Sequence, residues 1–269
     1  MSGLRIGFIG LGNQGAPIAH RIVDGGFDLV VWARRAEVLE AYTAKGASAA
    51  ASVAELGAAC DHVGICVVAD ADVVQVCDQL IPAMSAGSRI VIHSTVLPET
   101  CIALAEKCAA RGIALIDAPV SGGAARAENG TLTVMCGGDA DDFAAAKPVF
   151  ETFGQNIVLL GAVGAGQRAK IVNNTLLAAN VAMAHAALTA GEAMGLDRAA
   201  LAQTIRSSSG YSFGVDVCAA APTPADFKGG ALLNKDVGLL EKALPDHDGT
   251  HALSTAARPY LSQATGGIE

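Results

Sequence analysis

The chain has 269 residues, of which 52% are hydrophobic and 16% are charged, and its formal net charge at pH 7 is −8. This length is enough for one large domain or two of ordinary size, and the composition is that of a folded globular protein. The negative charge argues against a nucleic-acid partner, because binding to a phosphate backbone needs a surplus of Lys and Arg.

Seven cysteines are present, and none of them forms a CxxC pair. Buried apolar thiols in a reducing compartment explain them better than a disulfide framework or a zinc site. His247 and His251 have HxxxH spacing, but a turn-like Pro-Asp-His-Asp-Gly segment surrounds the first of them, so we expect no metal site there. The N-terminal apolar run is broken by glycines and has no basic segment before it, which favours a first strand over a signal peptide. We therefore expect a cytoplasmic protein.

Up to about residue 160, short apolar runs alternate with amphipathic segments, the pattern of a parallel sheet with helices on its faces. Strands are predicted at Leu4–Ile9, Asp28–Trp32, His62–Val67, Arg89–His93, Ile113–Ile116, Leu132–Cys136 and Asn156–Leu160. Helices are predicted at Ala16–Val23, Ala71–Met84 and Pro98–Ala110, and another is expected to begin after Asp139. The fold class predicted for this part is a doubly wound α/β sheet.

The alternation of strand-like and helix-like segments ends after Gly161. About thirty residues without proline or strand character follow, through Met194, and they predict one long helix that leaves the sheet. Its most apolar part, residues 175–195, contains Asn180, His185 and Glu192, so we expect a buried helix and no membrane partner. The remaining residues have helix and loop character. We place a sheet domain at residues 1–163 and an all-α domain at residues 164–269.

A GxGxxG motif, Gly10-Leu11-Gly12-Asn13-Gln14-Gly15, directly follows the first predicted strand. The first glycine allows a tight turn, the second lets a pyrophosphate approach the backbone, and the third lets helix and strand pack closely. The helix N-terminus then offers free N–H groups to the phosphates. In this position the motif predicts a Rossmann-type dinucleotide site, against the alternative of a glycine turn without a ligand.

Two arginines, Arg34 and Arg35, follow the second predicted strand, where an acidic residue would bind the ribose 2′-OH of NAD. Guanidinium groups at this point pair well with a 2′-phosphate, which favours NADP(H) over NAD(H). The alternative is that both arginines are solvated surface residues.

Two later segments carry candidate chemistry. Ser121-Gly122-Gly123 follows the strand that ends near Ile116 and predicts a turn whose N–H groups and hydroxyl could bind a substrate carboxylate. Lys170 and Asn174 are four residues apart near the start of the long helix, so they share one helix face. A lysine held beside a nicotinamide pocket is suited to general acid–base catalysis. Further along, Lys235 in the segment FxxxxLxxKD is a weaker candidate for a cofactor contact.

In this order, the motifs GLGNxG, STxxPE, DAPVSGG, GxxGxGxxxKxxNN and FxxxxLxxKD resemble the β-hydroxyacid dehydrogenase family, over nearly the whole chain from Leu4 to Gly266. The resemblance implies a Rossmann domain and an all-α domain joined by a long helix that helps to build a homodimer or homotetramer. It implies Lys170 as the catalytic acid/base and Asn174 as a substrate-orienting residue. It also implies that Ser121, Gly122 and Gly123 hold the substrate carboxylate, and that Thr95 and Lys235 line the cofactor site.

The sequence departs from the family pattern at three positions. Gln14 stands where Met is usual, Ala33 where Asn or Asp is usual, and His93 where Asp is common. The change at Ala33 removes a marker of NAD without adding one of NADP. We expect hydride transfer between NADP(H) and a small 3-hydroxy acid and its semialdehyde. The alternatives are an imine reductase on the same fold and a non-catalytic NADP-binding sensor or scaffold.

Overall fold

A computed structural model describes residues 3–267 of the chain. They divide into two compact units, one ending at Lys170 and the other beginning at Ile171. This division falls inside the long helix α8 (Ala165–Ala193), whose existence and approximate bounds the sequence predicts correctly.

The first unit is built on a six-stranded parallel sheet with the order β3-β2-β1-β4-β5-β6. Its strands are β1 (Arg5–Ile9), β2 (Asp28–Trp32), β3 (Ser48–Ala49), β4 (His62–Ile65), β5 (Arg89–Ile92) and β6 (Ala114–Asp117). The chain reverses its direction of travel across the sheet at β1, which creates the topological switch point where doubly wound folds bind ligands. The predicted Rossmann-type architecture is confirmed.

Both faces of this sheet are covered. Along β5, Ile90 and Ile92 pack into one apolar core while Val91 packs into the other, because successive side chains of a strand point to opposite faces. The helices that cover the faces include α1 (Gly15–Asp24), α2 (Glu40–Thr43), α3 (Val53–Ala59), α4 (Asp70–Ala83) and α5 (Pro98–Ala109). The sequence pattern does not predict β3, α2 and α3, which are too short or too alanine-rich to show a clear period.

A smaller sheet follows, in the order β7-β8-β9, formed by β7 (Val120–Ser121), β8 (Leu132–Cys136) and β9 (Gly154–Leu159). Strand β7 runs antiparallel to β8, a departure from the all-parallel pattern predicted. Two helices belong to this region, α6 (Gly123–Glu128) and α7 (Ala140–Phe150). The Asp139 carboxylate accepts hydrogen bonds from Asp141 N at 2.8 Å and Asp142 N at 3.3 Å, and this N-cap explains why α7 begins where the sequence predicts.

In the second unit the described residues are helical or irregular, as predicted. Besides most of α8 it contains α9 (Arg198–Arg206), α10 (Phe213–Ala220), α11 (Gly230–Ala243) and α12 (Asp248–Ala264). Its core includes Val181 and Leu188 from α8 and Val237 from α11, all fully buried. Helix α10 crosses α8 closely, since a Cβ on Gly214 would lie 2.4 Å from the Asn180 carbonyl oxygen.

Helix α8 is long and apolar enough to cross a membrane by length and composition, and half of its most apolar stretch is buried inside the structure. A core helix of a globular protein has the same properties. Six of the seven cysteines are buried, Cys66 is partly buried, and all are free thiols, in agreement with the predicted apolar role. His247 is the N-cap residue of α12, where its Nδ1 accepts a hydrogen bond from Gly249 N at 3.0 Å.

Candidate functional site

A cleft of about 510 Å³ lies at the carboxyl ends of β1, β2 and β4, at the topological switch point of the sheet. The predicted cofactor residues that line it are Gly10, Leu11, Gly12, Arg34 and Arg35. Asn13, Gln14 and Gly15 belong to the same turn and the start of α1 but are not among the lining residues. Thr95 lies in the loop after β5 and does not line this cleft either.

The three glycines of the motif differ in their surroundings. Gly10 has φ +100°, and a Cβ there would lie 2.1 Å from the Cys66 carbonyl oxygen. A Cβ on Gly15 would lie 1.9 Å from the Gly10 carbonyl oxygen. At Gly12, by contrast, a Cβ would have no heavy atom of residues 3–267 within 4 Å, apart from Gly12 itself and its two chain neighbours. Gly12 also lines the cleft, so this space is open to the pyrophosphate of a dinucleotide.

The walls of the cleft are partly apolar. Trp32 and Val38 line it on one side, and Cys66 and Val76 lie at the β4 and α4 side. Burial raises the pKa of the Cys66 thiol to about 12, so that this group is neutral at physiological pH. Apolar walls with a glycine-lined floor suit a flat aromatic base and a phosphate in one groove.

Arg34 is held at the mouth of the cleft by a residue that sequence reasoning missed. Its Nη2 lies 2.9 Å from Oδ1 of Asp72, at the start of α4. The other oxygen of Asp72 accepts a hydrogen bond from Ala69 N at 3.2 Å, which anchors the carboxylate to the helix N-terminus. The guanidinium group of Arg34 is thus oriented at the cleft by its ion pair with Asp72.

The Ser121-Gly122-Gly123 segment contains the predicted turn, but the turn does not directly follow β6. Ser121 belongs to the short strand β7, where it pairs with Thr133, and the two glycines lead into α6. Gly122 and Gly123 have φ +133° and +73°, a left-handed backbone that requires glycine at both positions. The sequence pattern does not predict β7, because a strand of two residues is too short to show alternation.

Lys170 and Asn174 lie on successive turns of α8, and they are 8% and 5% exposed. In the second unit, Nδ2 of Asn174 donates a hydrogen bond to Oδ2 of Asp236 at 2.6 Å. Asp236 is fully buried, and Nζ of Lys235 lies 3.1 Å from its Oδ1. Asp236 was not among the predicted site residues, although it follows Lys235 in the same motif.

His93, at the end of β5, is buried in the first unit. Its Nδ1 lies 2.8 Å from the Ala118 carbonyl oxygen, so that Nδ1 must carry the proton and donate. The ring packs near Phe8 and Phe153. This hydrogen bond holds the buried ring at the end of the strand.

The strand order, the glycine turn and the cleft define an NAD(P)-binding protein of the Rossmann class. Residues 5–161 match the family model for the NAD-binding domain of 6-phosphogluconate dehydrogenase, and residues 164–267 match the model for the NAD-binding domain of NADP-dependent 3-hydroxyisobutyrate dehydrogenase. The chain therefore belongs to the β-hydroxyacid dehydrogenase family, as the motifs predict.

Curated relatives and solved structures agree with this family. The NAD-dependent L-serine dehydrogenase of Pseudomonas aeruginosa is 37% identical over 252 residues, which cover 89% of this chain and 85% of the relative. The 3-hydroxyisobutyrate dehydrogenase of the same organism is 37% identical, with 87% and 83% covered. The structure of Mycobacterium tuberculosis 3-hydroxyisobutyrate dehydrogenase with L-serine has a TM-score of 0.85 and 28% identity, with 98% of this chain and 96% of that chain covered. The protein is an NAD(P)-dependent oxidoreductase that acts on CH–OH groups.

Proposed function

We propose that this enzyme interconverts a small 3-hydroxy acid and its semialdehyde, with NADP(H) as the preferred cofactor and Lys170 as the acid/base. The observation that carries the proposal is the placement of Lys170. It is a buried lysine on the first turns of α8, one turn before the buried amide of Asn174. Lysine is rarely buried unless a partner or a chemical role keeps it there.

The nicotinamide cofactor, when bound, supplies or accepts the hydride. In the direction of oxidation, Nζ of Lys170 takes the proton from the substrate hydroxyl; in reduction it returns a proton to the carbonyl oxygen. The Asn174 amide, held by Asp236 at 2.6 Å, donates its other N–H to the same substrate oxygen and fixes its direction.

The carboxylate of the substrate is assigned to Ser121, Gly122 and Gly123. Two consecutive glycines with positive φ expose backbone N–H groups that side chains would otherwise shield. A negatively charged group at this turn would distinguish hydroxy acids from simple alcohols and from cyclic imines. The names of the relatives, 3-hydroxyisobutyrate and L-serine dehydrogenases, fit a small carboxylated substrate.

The preference for NADP(H) rests on Arg34 and Arg35, which line the cleft beyond β2. A 2′-phosphate would accept charge-assisted hydrogen bonds from these guanidinium groups. One relative is named as NAD-dependent and one matching family model as NADP-dependent, so both cofactors occur among the relatives. Thr95 and Lys235 are assigned to further contacts with the cofactor.

The first test is reduction of a panel of small semialdehydes by the purified protein, with NADPH and NADH in parallel and cyclic imines included. We expect turnover of a short carboxylated semialdehyde, with a higher kcat/KM for NADPH. Lys170→Met should lower kcat by about 10²–10⁴-fold while NADPH binding persists. The matched control is Lys107→Met, which replaces an exposed lysine on α5. Full activity of Lys170→Met would overturn the assignment, and reduction of imines alone would overturn the substrate class.

We also propose that the enzyme is a homodimer or homotetramer. Helix α8 presents Val172, Leu176 and Met183 with 49%, 47% and 55% of their surface exposed. An apolar stripe of this kind suits contact with a second copy of the chain. Light scattering should give a multiple of the 27.0 kDa chain mass. In the double variant Leu176→Glu and Met183→Glu, the measured mass should fall toward that of a single chain. A native protein whose mass equals that of one chain would refute the proposal.

A further inference from the structure

One glutamine in the first turn of α8 makes three hydrogen bonds in the first unit. Gln167 is fully buried. Its Oε1 accepts from Val96 N at 3.1 Å, and its Nε2 donates to the Ser94 carbonyl oxygen at 2.8 Å. Its own backbone N–H donates to Oδ2 of Asp117 at 2.7 Å. The side chain therefore bridges the two backbone groups that flank Thr95.

The backbone of this helical turn is fixed independently. Asp117, at the end of β6, is fully buried and accepts a second hydrogen bond from Gly164 N at 2.6 Å. A carboxylate whose two oxygens accept hydrogen bonds from N–H groups at a helix N-terminus fixes that end of the helix in position. The turn also packs closely against β8, since a Cβ on Gly166 would lie 2.2 Å from the Met135 carbonyl oxygen.

The loop that Gln167 holds, Ser94–Val96, is also fixed to the segment that follows β4. Oγ of Ser94 accepts a hydrogen bond from Val67 N at 2.8 Å, in the segment that follows β4. The ends of β4, β5 and β6 are thus joined through Ser94, Gln167 and Asp117. Lys170 follows Gln167 by about one helical turn on α8, so the two residues lie on the same side of the helix. The residue that holds the Thr95 loop therefore belongs to the turn that precedes Lys170.

We propose that Gln167 is a positioning residue for the dehydrogenase reaction, holding the Ser94–Val96 loop and the Lys170 turn of α8 at one fixed separation. The inference rests on the proposed roles of Lys170 as acid/base and Thr95 as a cofactor contact. A buried apolar side chain of similar size would fill the same space but would leave Ser94 O and Val96 N unpaired. Such unpaired groups drive the loop to move, and a displacement near 1 Å is enough to impair catalysis about 100-fold.

The first test is Gln167→Met, which keeps the size and removes both side-chain hydrogen bonds. We expect kcat to fall by about 10- to 100-fold, and the NADPH Kd to rise by a smaller factor because the Thr95 loop also moves. The solvent deuterium isotope effect on kcat should rise, because proton transfer to the displaced Lys170 becomes limiting. The control is Leu104→Ala, a cavity variant of a buried residue on α5 that loses stability but makes none of the network's hydrogen bonds.

The second variant, Gln167→Glu, keeps the proposal testable if the first does not fold. The protonated carboxyl group of this variant accepts from Val96 N and donates to Ser94 O as the native glutamine does, whereas its ionised form turns a charge toward the Ser94 carbonyl oxygen. The ratio of variant to native kcat should therefore increase as the pH is lowered. Native kcat in the variant at a pH where its carboxyl group is ionised would overturn the proposal.

The outcomes separate this inference from the proposed function. If Lys170→Met is inactive but Gln167→Met keeps native kcat, or loses no more than Leu104→Ala, the positioning role is refuted alone. Activity retained by Lys170→Met would instead refute the acid/base role on which the inference rests. A loss expressed in KM or in NADPH Kd rather than in kcat would assign Gln167 to ligand binding and would also refute positioning.

Discussion

Arg34 is ion-paired with Asp72 across the mouth of the dinucleotide cleft, with 2.9 Å between Nη2 and Oδ1. The pair joins the end of β2 to the start of α4, and both residues line the cleft. The side chain of Arg34 is 68% exposed and that of Asp72 only 25%, so the carboxylate is the fixed partner and the guanidinium the adjustable one. A 2′-phosphate would therefore compete with Asp72 for Arg34.

We predict opposite effects for the two members of this pair. Arg34→Gln should weaken NADPH binding by roughly 10-fold or more, since a charge-assisted hydrogen bond is lost, and should change NADH binding little. Asp72→Asn should favour NADPH by about threefold at low salt, because the competing charge is removed, and the gain should shrink as salt is added.

Fluorescence titration of both cofactors would measure these effects. Asp78→Asn is the matched control, since Asp78 lies on the same helix and pairs with Lys107 at 3.1 Å without lining the cleft. Equal losses of NADPH and NADH affinity in Arg34→Gln would contradict a 2′-phosphate contact.

The glycines of the turn should separate folding from cofactor binding. Gly12→Ala adds a Cβ that, beyond its chain neighbours, meets no heavy atom of the described residues within 4 Å, so the free energy of unfolding should change by less than about 0.5 kcal/mol. Dinucleotide affinity should nevertheless fall at least tenfold, because the methyl group occupies the space of the pyrophosphate.

Gly10→Ala should do the reverse and destabilise the fold itself, since its Cβ would lie 2.1 Å from the Cys66 carbonyl oxygen at φ +100°. Thermal unfolding and equilibrium dialysis with NADPH would distinguish the two variants. Undiminished NADPH binding by Gly12→Ala would show that the pyrophosphate does not lie at this turn.

Two buried histidines should make the first unit sensitive to acid. Burial lowers the pKa of His62 to about 3 and that of His93 to about 4, from an ordinary value of 6.5. The unfolded chain therefore binds more protons between pH 4 and 6.5, and the free energy of unfolding should decrease as the pH falls through this range. At pH 5 each histidine should lower it by about 2 kcal/mol relative to pH 8.

Urea unfolding at several pH values would measure this slope. His62→Gln replaces the titrating ring with a neutral amide and should reduce the dependence on pH, whatever its effect on stability at pH 8. His251→Gln, at an exposed position, should leave the slope as it is in the native protein. A pH dependence that is identical in His62→Gln and the native chain would contradict the buried neutral state.

Breaking the Asn174–Asp236 hydrogen bond should lower both the stability and the activity of the enzyme. Asp236→Ala would leave the Asn174 amide buried without its acceptor, at a cost of about 1–3 kcal/mol. The kcat/KM should fall because Asn174 then lacks a fixed direction. Asp236→Asn keeps an acceptor oxygen and should recover part of both, whereas the exposed Asp246→Ala should change neither. Native kinetics in Asp236→Ala would remove Asn174 from the proposed mechanism.

Much of the fold follows from local pattern. The predicted strands at Asp28–Trp32 and Leu132–Cys136 coincide with β2 and β8. The first is an apolar run that follows Asp28, and the second has apolar residues around Thr133 and alternates between buried and partly buried positions. Helix α7 begins after its capping Asp139, as predicted. The missed elements β3 and β7 have two residues each, too few for a period to appear.

The sequence by itself determined the dinucleotide motif, the paired arginines and the spacing of Lys170 and Asn174, because each depends on residues within one turn or one helix. Only the tertiary structure decided the partners that orient these groups. Arg34 and Asp72 are 38 residues apart, Asn174 and Asp236 are 62 apart, and Gln167 and Ser94 are 73 apart. No local periodicity encodes such pairs, since they arise only when elements distant in the chain pack together. In the first unit these are strand ends and helix termini, and in the second unit they are the interiors of α8 and α11.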